Sequence, residues 1–257
     1  MDFAGKVAVV TGGANGIGRA LCETFLSMGA FVTCMDTDEA AGGRLASRYG
    51  DRLLFFAGDA AEERDLKGFA DAVLKKHGGV DYLINNACIS KRGLLSNCSF
   101  EDFTYVLRLG VAGPYYLSLL FKDAFRENAA IVNIASSRAF QSQMDTESYT
   151  AAKGGILSLT HALAMSLHGR VRVNAVCPGW IDTTAFHGEG NEPAVFSEPD
   201  RLQHAVSHVG NPQDIVEAAL FLLSEKAGFI TGTSLTVDGG MTKRMIYHGD
   251  EGWTYQA

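Results

Sequence analysis

The 257-residue sequence lacks an apolar run long enough to cross a membrane. Its longest uncharged stretch, Gly154 to Gly169, falls short of the roughly 18 residues that a spanning helix needs and is interrupted by His161 and His168. It also lacks the paired CxxC spacing of a zinc site. The five cysteines, Cys22, Cys34, Cys88, Cys98 and Cys177, are odd in number and widely spread, so they read as reduced thiols and no metal is expected. Excess positive charge is missing too. With 22 Lys+Arg against 29 Asp+Glu the formal net charge is −7, which argues against a nucleic-acid partner held by phosphate neutralisation. Met1 to Lys6 carry neither a basic nor an apolar leader segment before the first core run, so a cytoplasmic setting is expected. No internal repeat, low-complexity tract or linker divides the chain, and residues 1–257 are expected to form a single domain.

What is present is ordinary for a globular protein: 47% hydrophobic and 20% charged residues. Lys6-Val7-Ala8-Val9-Val10 is a continuous apolar run, the pattern of a parallel strand covered on both faces. Ala30 to Met35, Tyr82 to Ile84 and Ala130 to Ile134 share that character, with Val171 to Val176 and Leu235 to Val237 as later candidates. Helix-length segments alternate with them: Ile17 to Met28, Glu39 to Tyr49, Glu62 to Lys76, Phe103 to Phe125, Ser148 to Leu167 and Pro212 to Leu223. In one of these Ala152, Ile156, Leu159, Leu163 and Leu167 recur at helical spacing, and another opens with Asn211 as N-cap and Pro212 at the first position. Strands alternating with helices imply right-handed βαβ units and an α/β fold, a doubly wound parallel sheet of about seven strands with helices on both faces. Pro178 to Gly210 is the main irregular stretch, and its length marks it as a substrate loop or lid.

Directly after the first strand comes Thr11-Gly12-Gly13-Ala14-Asn15-Gly16-Ile17-Gly18, running into a helix. Glycines let a backbone turn tightly and approach a pyrophosphate, which the free N–H groups and positive dipole end of the helix then hold. Asp36 ends the second strand, 18 residues past Gly18. A carboxylate there accepts hydrogen bonds from the adenosine ribose hydroxyls and repels a 2′-phosphate, so NAD is expected in preference to NADP.

Tyr149 and Lys153 lie four residues apart, on one face of a helix and about 5–6 Å apart at Cβ. Ser136, 13 residues upstream of Tyr149, follows the strand ending at Ile134, at the carboxyl edge of the sheet where ligands bind in such folds. In this order and spacing the sequence resembles the short-chain dehydrogenase/reductase family from Lys6 to Gly240, which implies a Rossmann-like fold and a nicotinamide cofactor. The resemblance implies that Gly12, Asn15, Gly16, Ile17 and Gly18 hold the cofactor's phosphates. It implies further that Asp59 and the Ala60 backbone hold the adenine, that Asn86 and Ala87 line the cleft, and that Pro178, Gly179, Ile181 and Thr183 hold the nicotinamide. Tyr149 is then the acid/base on the hydroxyl proton. A phenol is a poor base at neutral pH, but the Lys153 ammonium and an oxidised nicotinamide both favour the phenolate. Ser136 would bond the substrate oxygen, and Lys153 would also hold the nicotinamide ribose.

The pattern departs from the family in one place. Many members carry an asparagine in the helix before the fifth strand, where it completes a proton relay; here Gly110 takes that position. Because Pro114 has no N–H, the Gly110 carbonyl lacks its i→i−4 donor; the helix is expected to kink there and the carbonyl to be free for a relay water. A kink serving only packing is the alternative. Arg138 and Lys91 are candidate contacts for an anionic substrate group, with solvated surface charges as the plainer reading. Beyond Gly240, Met241 to Ala257 carry Tyr247, Trp253 and Tyr255, aromatics expected to dock on the body or on a neighbouring subunit. By analogy with the family a homodimer or homotetramer is expected. The function expected is an NAD-dependent oxidoreductase of small alcohols and ketones. A nicotinamide-binding sensor without turnover, or an epimerase or dehydratase with bound NAD, stands as the alternative.

Overall fold

The computed structural model describes residues 3–188 and 191–245. Seven strands form one parallel sheet: β1 (Val7–Thr11), β2 (Phe31–Asp36), β3 (Leu53–Ala57), β4 (Val80–Asn85), β5 (Phe125–Ile134), β6 (Val171–Pro178) and β7 (Ser234–Val237). Their spatial order is β3-β2-β1-β4-β5-β6-β7, so the winding reverses between β1 and β4. A crevice opens at such a reversal, beyond the carboxyl ends of the strands.

The strands are apolar throughout because both faces are covered, and successive side chains feed two different cores. Ala8, Val10, Val32, Cys34 and Ile84 pack with α1 (Gly16–Ser27), α2 (Glu39–Tyr49) and α8 (Pro212–Leu223) through Phe25, Leu45 and Ile215. Val7, Val9, Met35, Leu83 and Ile131 face the other way, onto α3 (Glu63–His77), α5 (Gly113–Phe121) and α6 (Glu147–Ser166) through Phe69, Phe121 and Leu163. Between α5 and α6 runs β5, while α4 (Phe100–Leu107) leads toward α5. A short α7 (Glu198–Leu202) interrupts the irregular stretch before α8, begun by a capping box between Ser197 and Asp200.

Two expected boundaries change. The helix expected over Phe103 to Phe125 ends at Phe121, and Phe125 already belongs to β5, paired with Val80 before an irregularity in the register. Sequence pattern could not place that strand start, because Arg126, Glu127 and Asn128 are exposed and break the apolar run. The same helix is also divided. Instead of a simple kink, Arg108–Ala112 form a π-helical turn in which the Gly113 N–H donates to the Arg108 carbonyl. Pro114 cannot donate, and widening the turn is how the helix passes the gap. The aromatic tail residues Tyr247, Trp253 and Tyr255 lie outside the described residues.

The start of the sheet is fixed electrostatically. Asp81, its side chain 4% exposed, accepts from Lys6 Nζ at 3.3 Å, from Arg126 Nη1 at 2.9 Å and from the Val7 backbone N–H at 2.8 Å. Both cations remain partly in water, so the main loss on removing the carboxylate is the orphaned buried N–H of Val7. Asp81→Ala is therefore expected to cost about 2–3 kcal/mol, read as a lower urea midpoint at unchanged m-value.

Candidate active site

A cleft of about 460 Å³ runs along the carboxyl edge of the sheet over the β1/β4 reversal. It is lined by Gly12, Asn15, Gly16 and Ile17 from the glycine loop, by Asp36, and by Asp59 and Ala60 after β3. Asn86 and Ala87 after β4, Ser136 after β5, Tyr149 and Lys153 on α6, and Pro178, Gly179, Ile181 and Thr183 after β6 complete it. Residues as distant in sequence as Gly12 and Thr183 thus share one wall.

The glycine loop is built by close approach. Gly16, at φ +56°, opens α1 in a conformation that a side chain would strain, and a Cβ on Gly18 would lie 1.9 Å from the Gly12 carbonyl oxygen. The first turn of α1 therefore packs directly on the loop, with its free N–H groups toward the cleft, a cradle fitting a pyrophosphate. The Thr11 hydroxyl accepts from the N–H groups of Asn86 and Ala87, each at 3.1 Å. The Asn86 amide in turn donates to the carbonyls of Thr11 at 3.1 Å and Gly12 at 2.9 Å. Asn86 thus spends its side-chain amide fastening β4 to the loop.

At the other end of the loop Asp36 accepts from the Ala14 N–H at 2.9 Å and from the Asp38 N–H at 3.1 Å. Asp38 stands beside it, accepting from Ala41 N–H at 2.9 Å and from the Asn15 amide at 3.0 Å. These bonds hold the Asp38 carboxyl below the usual carboxylate range, the Ala41 N–H contributing most. Two carboxylates therefore flank this end, and among the described residues lining the cleft the sole lysine or arginine is Lys153, which belongs to the other end. Asp59 is held by the Tyr105 hydroxyl at 2.8 Å and by the Ala61 N–H at 2.8 Å. Burial, and then the Asp59 carboxylate, push the Tyr105 phenol up to about 12, so it stays a donor. Neither Tyr105 nor Asp38 stands out in the sequence, since nothing local marks a helix tyrosine that closes onto a turn 46 residues earlier.

The opposite end of the cleft gathers Ser136, Tyr149 and Lys153. Ser136 is 7% exposed, and its Oγ accepts the Arg138 N–H at 3.1 Å, which orients the side chain. Lys153 is 4% exposed and donates to the Ile134 carbonyl at 2.7 Å, with Nζ 5.3 Å from the centre of the Tyr149 ring. Burial works against its charge, yet the ionisable Cys88 and Tyr149 side chains outweigh that and hold the ammonium above the ordinary lysine range.

Gly110 is buried and does not line the cleft, whereas its neighbour Leu109 does. A Cβ there would meet the Ala152 Cβ at 3.0 Å and the Cys88 sulfur at 3.3 Å, so Cys88 occupies the space a side chain at 110 would take. Gly110→Asn is thus expected to destabilise the fold by about 1–2 kcal/mol, overpacking outweighing the gain of up to about 1 kcal/mol from losing a helical glycine. A lower thermal midpoint that recovers in Cys88→Gly/Gly110→Asn would identify the sulfur as the obstruction; a raised midpoint in the single variant would refute the clash.

Arg138 and Lys91 part company. Arg138 reaches a second cavity beside Tyr149 and hydrogen-bonds the Gln143 side-chain oxygen. Lys91 does not line that cavity and pairs with Asp102 at 3.4 Å over the Tyr105 ring. Among the described residues no group of acidic, histidine or cysteine side chains is arranged to hold a metal, and no helix is long and apolar enough to cross a membrane.

Comparison with known proteins agrees with this geometry. The family model described as Enoyl-(Acyl carrier protein) reductase matches residues 12–242. An uncharacterized oxidoreductase of Thermotoga maritima is 42% identical over 251 residues, covering 95% of this chain and 98% of the relative. The solved structure of an apo SCOR enzyme from Clostridium thermocellum superposes with a TM-score of 0.89 at 43% identity, over 98% of this chain and 99% of that one. A 3-ketoacyl-(acyl-carrier-protein) reductase from Brucella melitensis, complexed with NADH, gives 0.83 at 33% identity over 93% and 99%. With the Rossmann-like sheet, the glycine loop and these matches spanning nearly its whole length, the chain belongs to the short-chain dehydrogenase/reductase family of oxidoreductases.

Proposed function

We propose that the protein is an NAD(H)-dependent dehydrogenase/reductase of small alcohol and ketone substrates, with Tyr149 as the acid/base. The observation that carries this reading is the placement of Ser136, Tyr149 and Lys153 in one cleft with the glycine loop and Asp36. A nicotinamide, when bound, supplies the hydride acceptor or donor. The protein's own residues supply the rest. Ser136 Oγ holds the substrate oxygen, and the Tyr149 hydroxyl takes the alcohol proton in oxidation and returns it in reduction. Lys153, fixed by the Ile134 carbonyl, keeps a positive charge beside the phenolate form.

NAD over NADP is supported by the Asp36 carboxylate at the adenosine end, with the Asp38 carboxylate beside it. Exposed apolar side chains on α5 and α6, Tyr115, Leu119 and Met165, support self-association through those helices as a homodimer or homotetramer. Fluorescence titration with NADH and NADPH, followed by an absorbance screen of alcohols and ketones, tests the reading. Tighter NADH binding with turnover is expected; NADH binding without turnover of any compound would sink it.

A further inference from the structure

The substrate side of the active site is a second cavity, of about 830 Å³, that meets the cofactor cleft at Ser136, Tyr149, Gly179 and Ile181. Its outer wall is neutral and hydrogen-bonding. Ser90, Gln141, Ser142, Gln143, Thr146 and Gln203 are hydroxyls and amides that both donate and accept. The charged side chains in the wall, Arg138 and Asp200, cancel, and each is already engaged: Arg138 with the Gln143 oxygen, Asp200 with the Ser197 N–H at 3.0 Å and hydroxyl at 2.6 Å. Among the described residues a carboxylate or phosphate on the substrate would thus meet no net positive charge. An acyl chain would find apolar contact mainly at Trp180, Ile181 and Met241, too little to line a tube. Trp180 is braced edge-on by Phe196, ring centres 5.3 Å apart at 86°, and offers a fixed flat surface.

Resting on the dehydrogenase reading above, we propose that the substrate is a neutral polyhydroxylated compound, a polyol or sugar. Its hydroxyls are matched by the serine, threonine and glutamine wall, and a C–H face lies on Trp180. Each substrate hydroxyl donates and accepts through one atom, as the serine and threonine hydroxyls do, while the glutamine amides offer an N–H donor and a separate oxygen acceptor. An analogue lacking hydroxyls would displace water from these mostly exposed wall groups without replacing its hydrogen bonds, and that difference makes specificity. One hydroxyl would react: its proton would pass to the Tyr149 phenolate as the carbonyl forms, with a bound oxidised nicotinamide supplying the hydride acceptor.

The experiment compares initial rates with NAD for cyclohexanol, a cyclohexane diol, a cyclic polyol, an aldohexose and a 3-hydroxyacyl thioester. Alongside, saturation-transfer NMR measures binding of the same compounds to the NADH complex of Tyr149→Phe. We expect kcat/KM to rise at least tenfold from cyclohexanol to the best polyol or sugar, and Gln143→Leu to shrink that ratio several-fold. Highest kcat/KM with cyclohexanol or the thioester, with no polyol or sugar bound, overturns the substrate class but leaves the dehydrogenase reading intact. Absence of turnover throughout defeats the dehydrogenase reading; the NMR arm then decides the cavity's ligand, saturation transfer to a polyol or sugar supporting the match and its absence refuting it.

Discussion

Tyr149→Phe is expected to lower kcat about a thousandfold while leaving NADH affinity within about threefold. The change removes one oxygen and keeps the ring, so the α6 side chain that lines both the cofactor cleft and the substrate cavity still fills its place. Lys153 is not set adrift, because its ammonium remains tied to the Ile134 carbonyl at 2.7 Å. The loss should therefore fall on the chemical step, because the substitution removes the hydroxyl proposed to take the alcohol proton. Steady-state kinetics with either substrate direction, beside NADH titration of the same protein, measures both quantities. A kcat within tenfold of the parent would mean that the proton goes elsewhere, and loss of NADH binding would mean that the phenol holds the cofactor instead.

Asp36→Asn is expected to reduce the preference for NADH over NADPH by 10- to 100-fold, about 1.4–2.8 kcal/mol. Asparagine is the informative replacement, since it keeps one oxygen that can accept the Ala14 N–H, now bonded at 2.9 Å, while it removes the charge and the second acceptor, which now takes the Asp38 N–H at 3.1 Å. The glycine loop should then keep its shape, with the lost Asp38 N–H bond lowering stability by about 1 kcal/mol at most. NADPH affinity is expected to rise as the repulsion of its 2′-phosphate falls, although Asp38, still in place beside it, keeps the change short of a reversal. Paired titrations with the two reduced cofactors give the ratio directly. An unchanged ratio would assign discrimination to Asp38 or to the loop backbone.

How much of this was legible beforehand differs from element to element. The Val7–Thr11 strand, the glycine loop and the α1 helix follow one another within about twenty residues, and their periodicity and glycine spacing announced them. The same is true of Tyr149 and Lys153, where one helical turn brings both side chains to one face. The long helix before β5 was misjudged at both ends. No proline or glycine marks the stop after Phe121, and only pairing with Val80 turns Phe125 into a strand residue. The Gly110/Pro114 pair correctly marked a broken hydrogen-bond ladder, but its form, a π turn, depends on α4 and α5 both continuing.

The sequence by itself determined most of the alternating strands and helices, though not β3 or α7, together with the glycine loop and the Tyr149/Lys153 pair, because each rests on contacts within a few residues or on a repeating period. Only the tertiary structure decided that Thr11 binds the Asn86 turn across 75 residues, that Tyr105 closes on Asp59, and that the Cys88 sulfur stands in the space beside Gly110. It also decided that Arg138 faces a neutral hydroxyl-lined wall while Lys91 turns away to Asp102. These are meetings between separate connections at one edge of the sheet. No local spacing encodes them, since they depend on how the crossovers pack and which strands become neighbours.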